Sequence, residues 1–307
     1  MDLIKDFTYT TITLQNDYEG KVTATLIAAN SNKKGEKSVL YLHGFVDYFF
    51  QVHMAETFIK RGYNFYALDL RKYGNSILPH QHQNYCREMN EYYEEITFSI
   101  KQIKEIHNST IYLLGHSTGG LLACNYLIDG ESRSDIKALI LNSPFLNIKS
   151  SKFTKKIVYL LSSVLSSLLP YSNLPKVLSP AYAQSLHEDF YGEWNFNLVW
   201  KPIDGFPTYF KWLKTIIEAQ RRVKNSNLKL PILVMHSSSS KDINVYTKEA
   251  QTSDIVLNIE DIQTIGAELG EDVTLISIKD ALHDIFLSKA DVRENAFFEM
   301  FKWLDKH

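Results

Sequence analysis

The chain has 307 residues, of which 45% are hydrophobic and 22% charged, and its formal net charge is −2. A length of this order buries a large core, as one big α/β domain or two small ones, and nothing in so balanced a charge favours nucleic acid or an anionic membrane as the main partner. Two cysteines, Cys86 and Cys124, both expected on helices, offer neither a disulfide framework nor a zinc site and fit a reducing compartment.

Residues 1–7 lack a basic region followed by an apolar core, and no stretch reaches the roughly 18 consecutive apolar residues of a membrane span. The expectation is a soluble, cytoplasmic protein without stable membrane insertion. Residues 7–14 and 21–29 alternate apolar and polar side chains around Asn16-Asp17-Tyr18-Glu19-Gly20, which predicts an antiparallel hairpin. A continuous apolar run over 38–43 then reads as a strand buried on both faces. It ends in His43-Gly44-Phe45-Val46-Asp47, and a helix is predicted over 50–61, stopped by Gly62. Another buried strand covers 64–69, and the loop after it holds Arg71. Asp47 and Arg71 are expected to pair across these two loops. A long amphipathic helix over 87–106 presents Tyr92, Ile96, Ile100 and Ile103 on one stripe. Strand and helix alternating in this way are the grammar of a parallel sheet covered on both faces.

The stretch Ile111-Tyr-Leu-Leu-Gly115-His116-Ser117-Thr118-Gly119-Gly120 joins an apolar run of strand length to a Gly-x-Ser-x-Gly turn, and small and apolar residues at helical spacing follow. This is the pattern of a nucleophile elbow, in which a serine stands at a strained corner above the sheet and at the N-terminus of a helix. After that helix, 138–142 is a short buried strand, and then the rhythm breaks. Residues 145–228 contain helical apolar patches but no clear buried strand, with prolines at 170, 175, 180, 202 and 207. About 80 residues are too many for a loop, so a helical cap over the site is expected, with 1–144 and 229–307 as the core. Strands at 231–236 and 273–278 and helices at 259–269 and 291–305 complete the pattern.

A hydroxyl at such a corner needs a base, an acid to orient the base, and donors for an oxyanion, all from loops at the strands' carboxyl ends. His283 follows the last predicted strand and is the expected base. His116 is assigned to packing beside the nucleophile, His43 to shaping its loop and His236 to a loop hydrogen bond; the other six histidines are expected at the surface. For the acid, Asp254 is favoured over Asp242, because the apolar residues after Asp254 would anchor it under the base, whereas Asp242 stands beside Lys241 in a polar loop. Thr118 and Phe45 are the expected oxyanion donors through their backbone N–H groups.

Leu42-His-Gly-Phe-Val-Asp47, Ala67-Leu-Asp-Leu-Arg-Lys-Tyr-Gly-Asn-Ser76, Gly115-His-Ser-Thr-Gly119, Ser253-Asp-Ile-Val-Leu257 and Ala281-Leu-His-Asp284 together resemble the α/β-hydrolases of the serine aminopeptidase-like, monoacylglycerol lipase and lysophospholipase group. The resemblance implies an α/β-hydrolase fold, an eight-stranded, mostly parallel sheet with helices on both faces and a helical cap. It implies Ser117 as nucleophile, Asp254 as acid, His283 as base, and Phe45 and Thr118 at the oxyanion. Where lipases of that group place Gly and a short gap, Ser237 and a longer loop follow His236, which keeps Asp242 open as the alternative acid.

The implied activity is a serine hydrolase of carboxylic esters with an apolar acyl chain, such as monoacylglycerols or lysophospholipids, needing no metal or cofactor. An aminopeptidase is the second reading, with Glu188, Asp189 and Glu193 as acids to hold a free amine. A receptor using a hydrolase pocket without turnover is the third.

Overall fold

In the computed structural model, residues 6–29, 36–148, 152–174 and 179–307 are described. The expectations resting on residues 1–5 and on Pro175 lie outside them. The chain runs through β1 (Phe7–Thr13), β2 (Thr23–Ala29), β3 (Lys37–Leu42), α1 (Val52–Lys60), β4 (Tyr63–Asp69), α2 (Tyr93–His107), β5 (Thr110–His116), α3 (Thr118–Asp129) and β6 (Ile136–Asn142). Between β6 and the next long strand come α4 (Lys152–Leu168), α5 (Pro180–Leu186), α6 (Phe210–Lys224) and a two-residue ladder of β7 (Asn173–Leu174) with β8 (Thr208–Tyr209). The chain then closes with β9 (Ile232–Ser237), α7 (Ile259–Gly266), β10 (Val273–Ile278) and α8 (Ala290–Leu304).

Eight strands form one sheet in the order β1-β2-β4-β3-β5-β6-β9-β10; β2 is antiparallel to β1 and β4, and the other pairs are parallel. Successive residues of each inner strand serve opposite faces. Leu40 and Leu42 of β3 join one buried cluster with α2, α3, α6 and α7, while Val39 and Tyr41 join another with α1 and α8. Continuous apolar runs are thus what a sheet covered twice requires.

Strand order reverses between β3, which leads to β4 on one side, and β5, which leads to β6 on the other. The crevice at the carboxyl ends of two such strands is where ligands bind in open α/β sheets. Leu42 pairs with Gly115, and His116 with Asn142, so the loops after β3, β5 and β6 leave the sheet side by side.

Several boundaries differ from expectation. The helix predicted from residue 87 begins at Tyr93, because Met89–Tyr92 is a 3₁₀ turn closed by a reciprocal Glu88/Glu91 capping box. Cys86, expected on a helix, therefore lies in the preceding loop; both cysteines are buried free thiols. The helix predicted over 259–269 stops at Gly266, where an added Cβ would come within 3.3 Å of Val234 Cγ1.

Candidate active site

Ser117 lies between β5 and α3 with φ 52° and ψ −116°, a backbone conformation that a residue with a Cβ seldom adopts. The surroundings enforce it. A Cβ on Gly119 would come within 2.3 Å of the His43 carbonyl oxygen, and one on Gly44 within 3.2 Å of the Ser117 Cβ, so glycine at both positions lets the elbow and the loop after β3 touch. The Ser117 N–H donates to the Asn142 carbonyl at 3.0 Å, fixing the corner to the end of β6.

Ser117, His283 and Asp254, separated by up to 166 residues in sequence, meet in one line. Ser117 Oγ is 3.1 Å from His283 Nε2, and His283 Nδ1 is 2.7 Å from Asp254 Oδ2. All three are buried. Asp254 Oδ1 accepts from the Val256 and Leu257 N–H groups at 2.8 Å each, so the apolar residues after the carboxylate do hold it, through their backbones. Asp242 is exposed and takes no place in this line.

Phe45 and Thr118 line the same cavity as Ser117. The Phe45 N–H has no acceptor among the described residues. Thr118 is the first residue of α3, where N–H groups lack helical partners and the dipole favours negative charge. The cavity has a volume of about 240 Å³. Phe145, Trp212, Leu213, Val256 and Leu257 make most of its wall apolar, and within that wall the Phe45 and Trp212 rings pack on each other with centroids 4.1 Å apart.

The other histidines sort by their bonds. His116 Nδ1 is 3.1 Å from the Asn142 carbonyl, its ring 4.9 Å from that of His283, and burial pushes its pKa down. His43 receives the Leu70 N–H at Nε2, and His236 lies 2.6 Å from the Ser237 carbonyl. His187 is buried rather than at the surface, bonded to the Phe196 carbonyl and to the Asp189 N–H.

The pairing expected between Asp47 and Arg71 is not formed. Arg71 turns to α2, where Nη2 meets Glu95 at 2.6 Å and Glu94 at 3.1 Å and Nε adds two bonds to Glu95. A fully buried Glu95 carboxylate demands a cation, and the forked guanidinium satisfies it better than any single donor. Asp47 instead accepts from Lys201 Nζ at 2.7 Å. Burial alone would raise the Asp47 carboxyl, but Lys201, with His116 and His43, holds it below the ordinary carboxylate range.

Sequence reasoning missed three polar residues that brace the site. Asn142 and Gln51 both donate to Asp284, next to His283, and Lys201 lines the cavity. A lone Asn closing a buried strand was the available signal for the first. Glu188, Asp189 and Glu193 are exposed and outside the cavity wall, Glu193 pairing with Arg293.

A family model described as Serine aminopeptidase, S33, matches residues 33–290. Epoxide hydrolase 4 of Homo sapiens is 28% identical over 137 residues, 43% of this chain and 35% of that protein, so the chain spans about a third of its length. Phospholipase YtpA of Bacillus subtilis (strain 168) is 26% identical over 204 residues, 66% of this chain and 75% of that protein. Among solved structures, a soluble variant of monoglyceride lipase from Saccharomyces cerevisiae in complex with a substrate analog superposes with a TM-score of 0.73 at 18% identity, covering 99% of this chain and 97% of that one. The Paleococcus ferrophilus monoacylglycerol lipase does so with a TM-score of 0.63 at 19% identity, covering 97% and 98%. At these identities the structural likeness speaks for the fold.

Proposed function

We propose, from the premise that this chain belongs to the serine aminopeptidase S33 family and is an α/β-hydrolase, that it cleaves carboxylic esters through an acyl-enzyme on Ser117. The observation that carries this reading is the hydrogen-bonded line Ser117–His283–Asp254 opening on an apolar cavity at the reversal of strand order. Ser117 Oγ attacks the ester carbonyl while His283 Nε2 takes its proton. Asp254 holds the Nδ1–H tautomer and stabilises the imidazolium. The carbonyl oxygen, now an oxyanion, is received by the Phe45 and Thr118 N–H groups. His283 then returns the proton to the leaving alkoxide, and water, activated by the same imidazole, releases the acid.

Residues 145–228 are read as a cap, since Phe145, Ile148, Tyr182, Lys201 and Trp212 supply one side of the cavity wall. The substrates inferred are lipid-type esters such as monoacylglycerols or lysophospholipids. Support comes from the apolar wall and from α4, whose Ile157, Leu160, Leu161, Val164 and Leu168 form an exposed apolar stripe at helical spacing. Among the described residues no helix is long and apolar enough to cross a membrane. A cytoplasmic setting is part of the proposal and fits two free thiols.

An aminopeptidase needs an acid free to hold a substrate amine, and the acid in the cavity wall, Asp47, is already bound to Lys201. The deciding experiment is a screen of p-nitrophenyl esters of graded chain length beside aminoacyl p-nitroanilides. Turnover of the esters with little on the anilides is expected. Faster anilide cleavage sinks the ester reading.

A further inference from the structure

We infer that Lys201 is a positioning residue: by holding Asp47, its ammonium keeps the Phe45 N–H where the oxyanion forms, so that the 196–201 segment is seated and the oxyanion site is complete in one and the same state. The inference rests on the reading of Ser117 as nucleophile given above.

Residues 43–51, between β3 and α1, belong to no helix or strand. The loop is fixed at its two ends. His43 Nε2 accepts from the Leu70 N–H at 3.2 Å, and the Phe49 N–H donates to Asp69 at 2.9 Å. Between these anchors lie Phe45, Val46 and Asp47. Among the described residues, no strand and no side chain other than Lys201 supports 45–47 with a hydrogen bond. Yet this stretch carries strain, for Val46 sits at φ 51°, where a β-branched residue is a genuine outlier. Such a conformation persists only when something outside it holds it. A buried ion pair at 2.7 Å on the very next residue is that restraint; its two side chains are 6% and 3% exposed, so water competes little for either.

The rest of the segment grips the loop in parallel. The Asn197 N–H donates to Tyr48 Oη at 2.6 Å, the Trp200 ring meets Tyr48 edge-on at 5.2 Å, and Phe196 packs on Phe50 at 5.1 Å. Lys201 is the one member of this set that reaches the residue beside the strained position. Its charge also rules out an idle role. An ammonium among the Phe50, Tyr182 and Phe196 rings, 5.6 to 5.9 Å away, is desolvated and depends on Asp47 as much as Asp47 depends on it.

The test compares wild type with Lys201→Met, Lys201→Gln and the Val46→Gly/Lys201→Met double variant. The readouts are the second-order rate of fluorophosphonate labelling and the steady-state constants for p-nitrophenyl butyrate. Lys201→Met is expected to lower both the labelling rate and kcat by roughly 10- to 100-fold, short of the loss of a whole oxyanion donor, with KM within about twofold. Lys201→Gln, which keeps a neutral donor and serves if the methionine fails to fold, is expected to fall between. Glycine adopts positive φ without strain, so Val46→Gly in the Lys201→Met background is expected to recover at least about fivefold in kcat. Labelling of Lys201→Met and Lys201→Gln at the wild-type rate, a loss confined to KM, or no recovery on adding Val46→Gly each overturns the inference. If the wild type is not labelled at all, the reading of Ser117 fails first and takes this inference with it.

Discussion

Asn142, the last residue of β6, donates from Nδ2 to Asp284 Oδ1 at 2.7 Å and accepts at Oδ1 from the Ile285 N–H at 3.2 Å. One side chain thus ties the loop that carries His283 to the edge of the sheet that carries Ser117. Replacing Asn142 with Leu removes both bonds and leaves the fully buried Asp284 carboxylate short of a partner. Loss of about 2–3 kcal/mol of stability is expected. A fall of at least about tenfold in kcat should accompany it, because misplacement of a catalytic group on this scale is felt directly. Thermal melts and ester turnover check the two effects; an unchanged kcat would show that His283 does not depend on this tether.

The two candidate acids separate cleanly. Asp254→Asn presents an amide where His283 Nδ1 needs an acceptor, which favours the wrong tautomer and should lower kcat by about 10⁴-fold. Asp242→Asn, at an exposed site, should stay within about twofold of wild type. Equal losses in the two variants would remove Asp254 from the role proposed for it.

Chain-length preference should answer to Trp212. Its ring closes the cavity against Phe45 at 4.1 Å, so Trp212→Ala opens the apolar end. The ratio of turnover on dodecanoyl to butyryl p-nitrophenyl esters is expected to rise by roughly 5- to 50-fold, the scale of a few buried methylenes. A ratio that does not move would mean the acyl chain lies elsewhere.

Stability should decline on mild acidification. Burial lowers the pKa of His116, and it does the same at His53 and His236, all from an ordinary value of 6.5. An imidazole kept neutral in the fold takes up its proton later than it does in the unfolded chain. Its stabilising contribution is therefore full above about 6.5 and is lost as pH falls below that value toward the folded-state pKa. Melting temperatures measured from pH 8 to pH 5 should fall across this window, and His116→Asn should fall less steeply than wild type. Identical slopes for the two proteins would contradict the assignment.

Much of this arrangement was legible in the sequence because it is local. Buried strands announce themselves as continuous apolar runs, and the Gly-x-Ser-x-Gly corner needs its small residues within five positions. The anchoring of the Asp254 carboxylate was readable because the residues that hold it, Val256 and Leu257, follow within three positions. Partners of charged residues were not readable. Asp47 finds Lys201 across 154 residues, through a stretch without periodicity, and Arg71 finds Glu95 on a helix whose outward face looks like any solvated face until it is packed. Pairing between distant charges depends on how loops dock, and that is decided by tertiary packing rather than by spacing. The start of α2 was missed for a related reason: a capping box of two glutamates closes a 3₁₀ turn over Met89–Tyr92 first, and the helix begins only at Tyr93.

The most direct measurement is fluorophosphonate labelling read by mass spectrometry of the proteolysed chain. A single adduct on the peptide containing Ser117 is expected, absent in Ser117→Ala and slowed by at least about 10³-fold in His283→Ala. Labelling that persists in Ser117→Ala, or a wild-type protein that is folded and takes no label, would contradict nucleophilic catalysis at this corner.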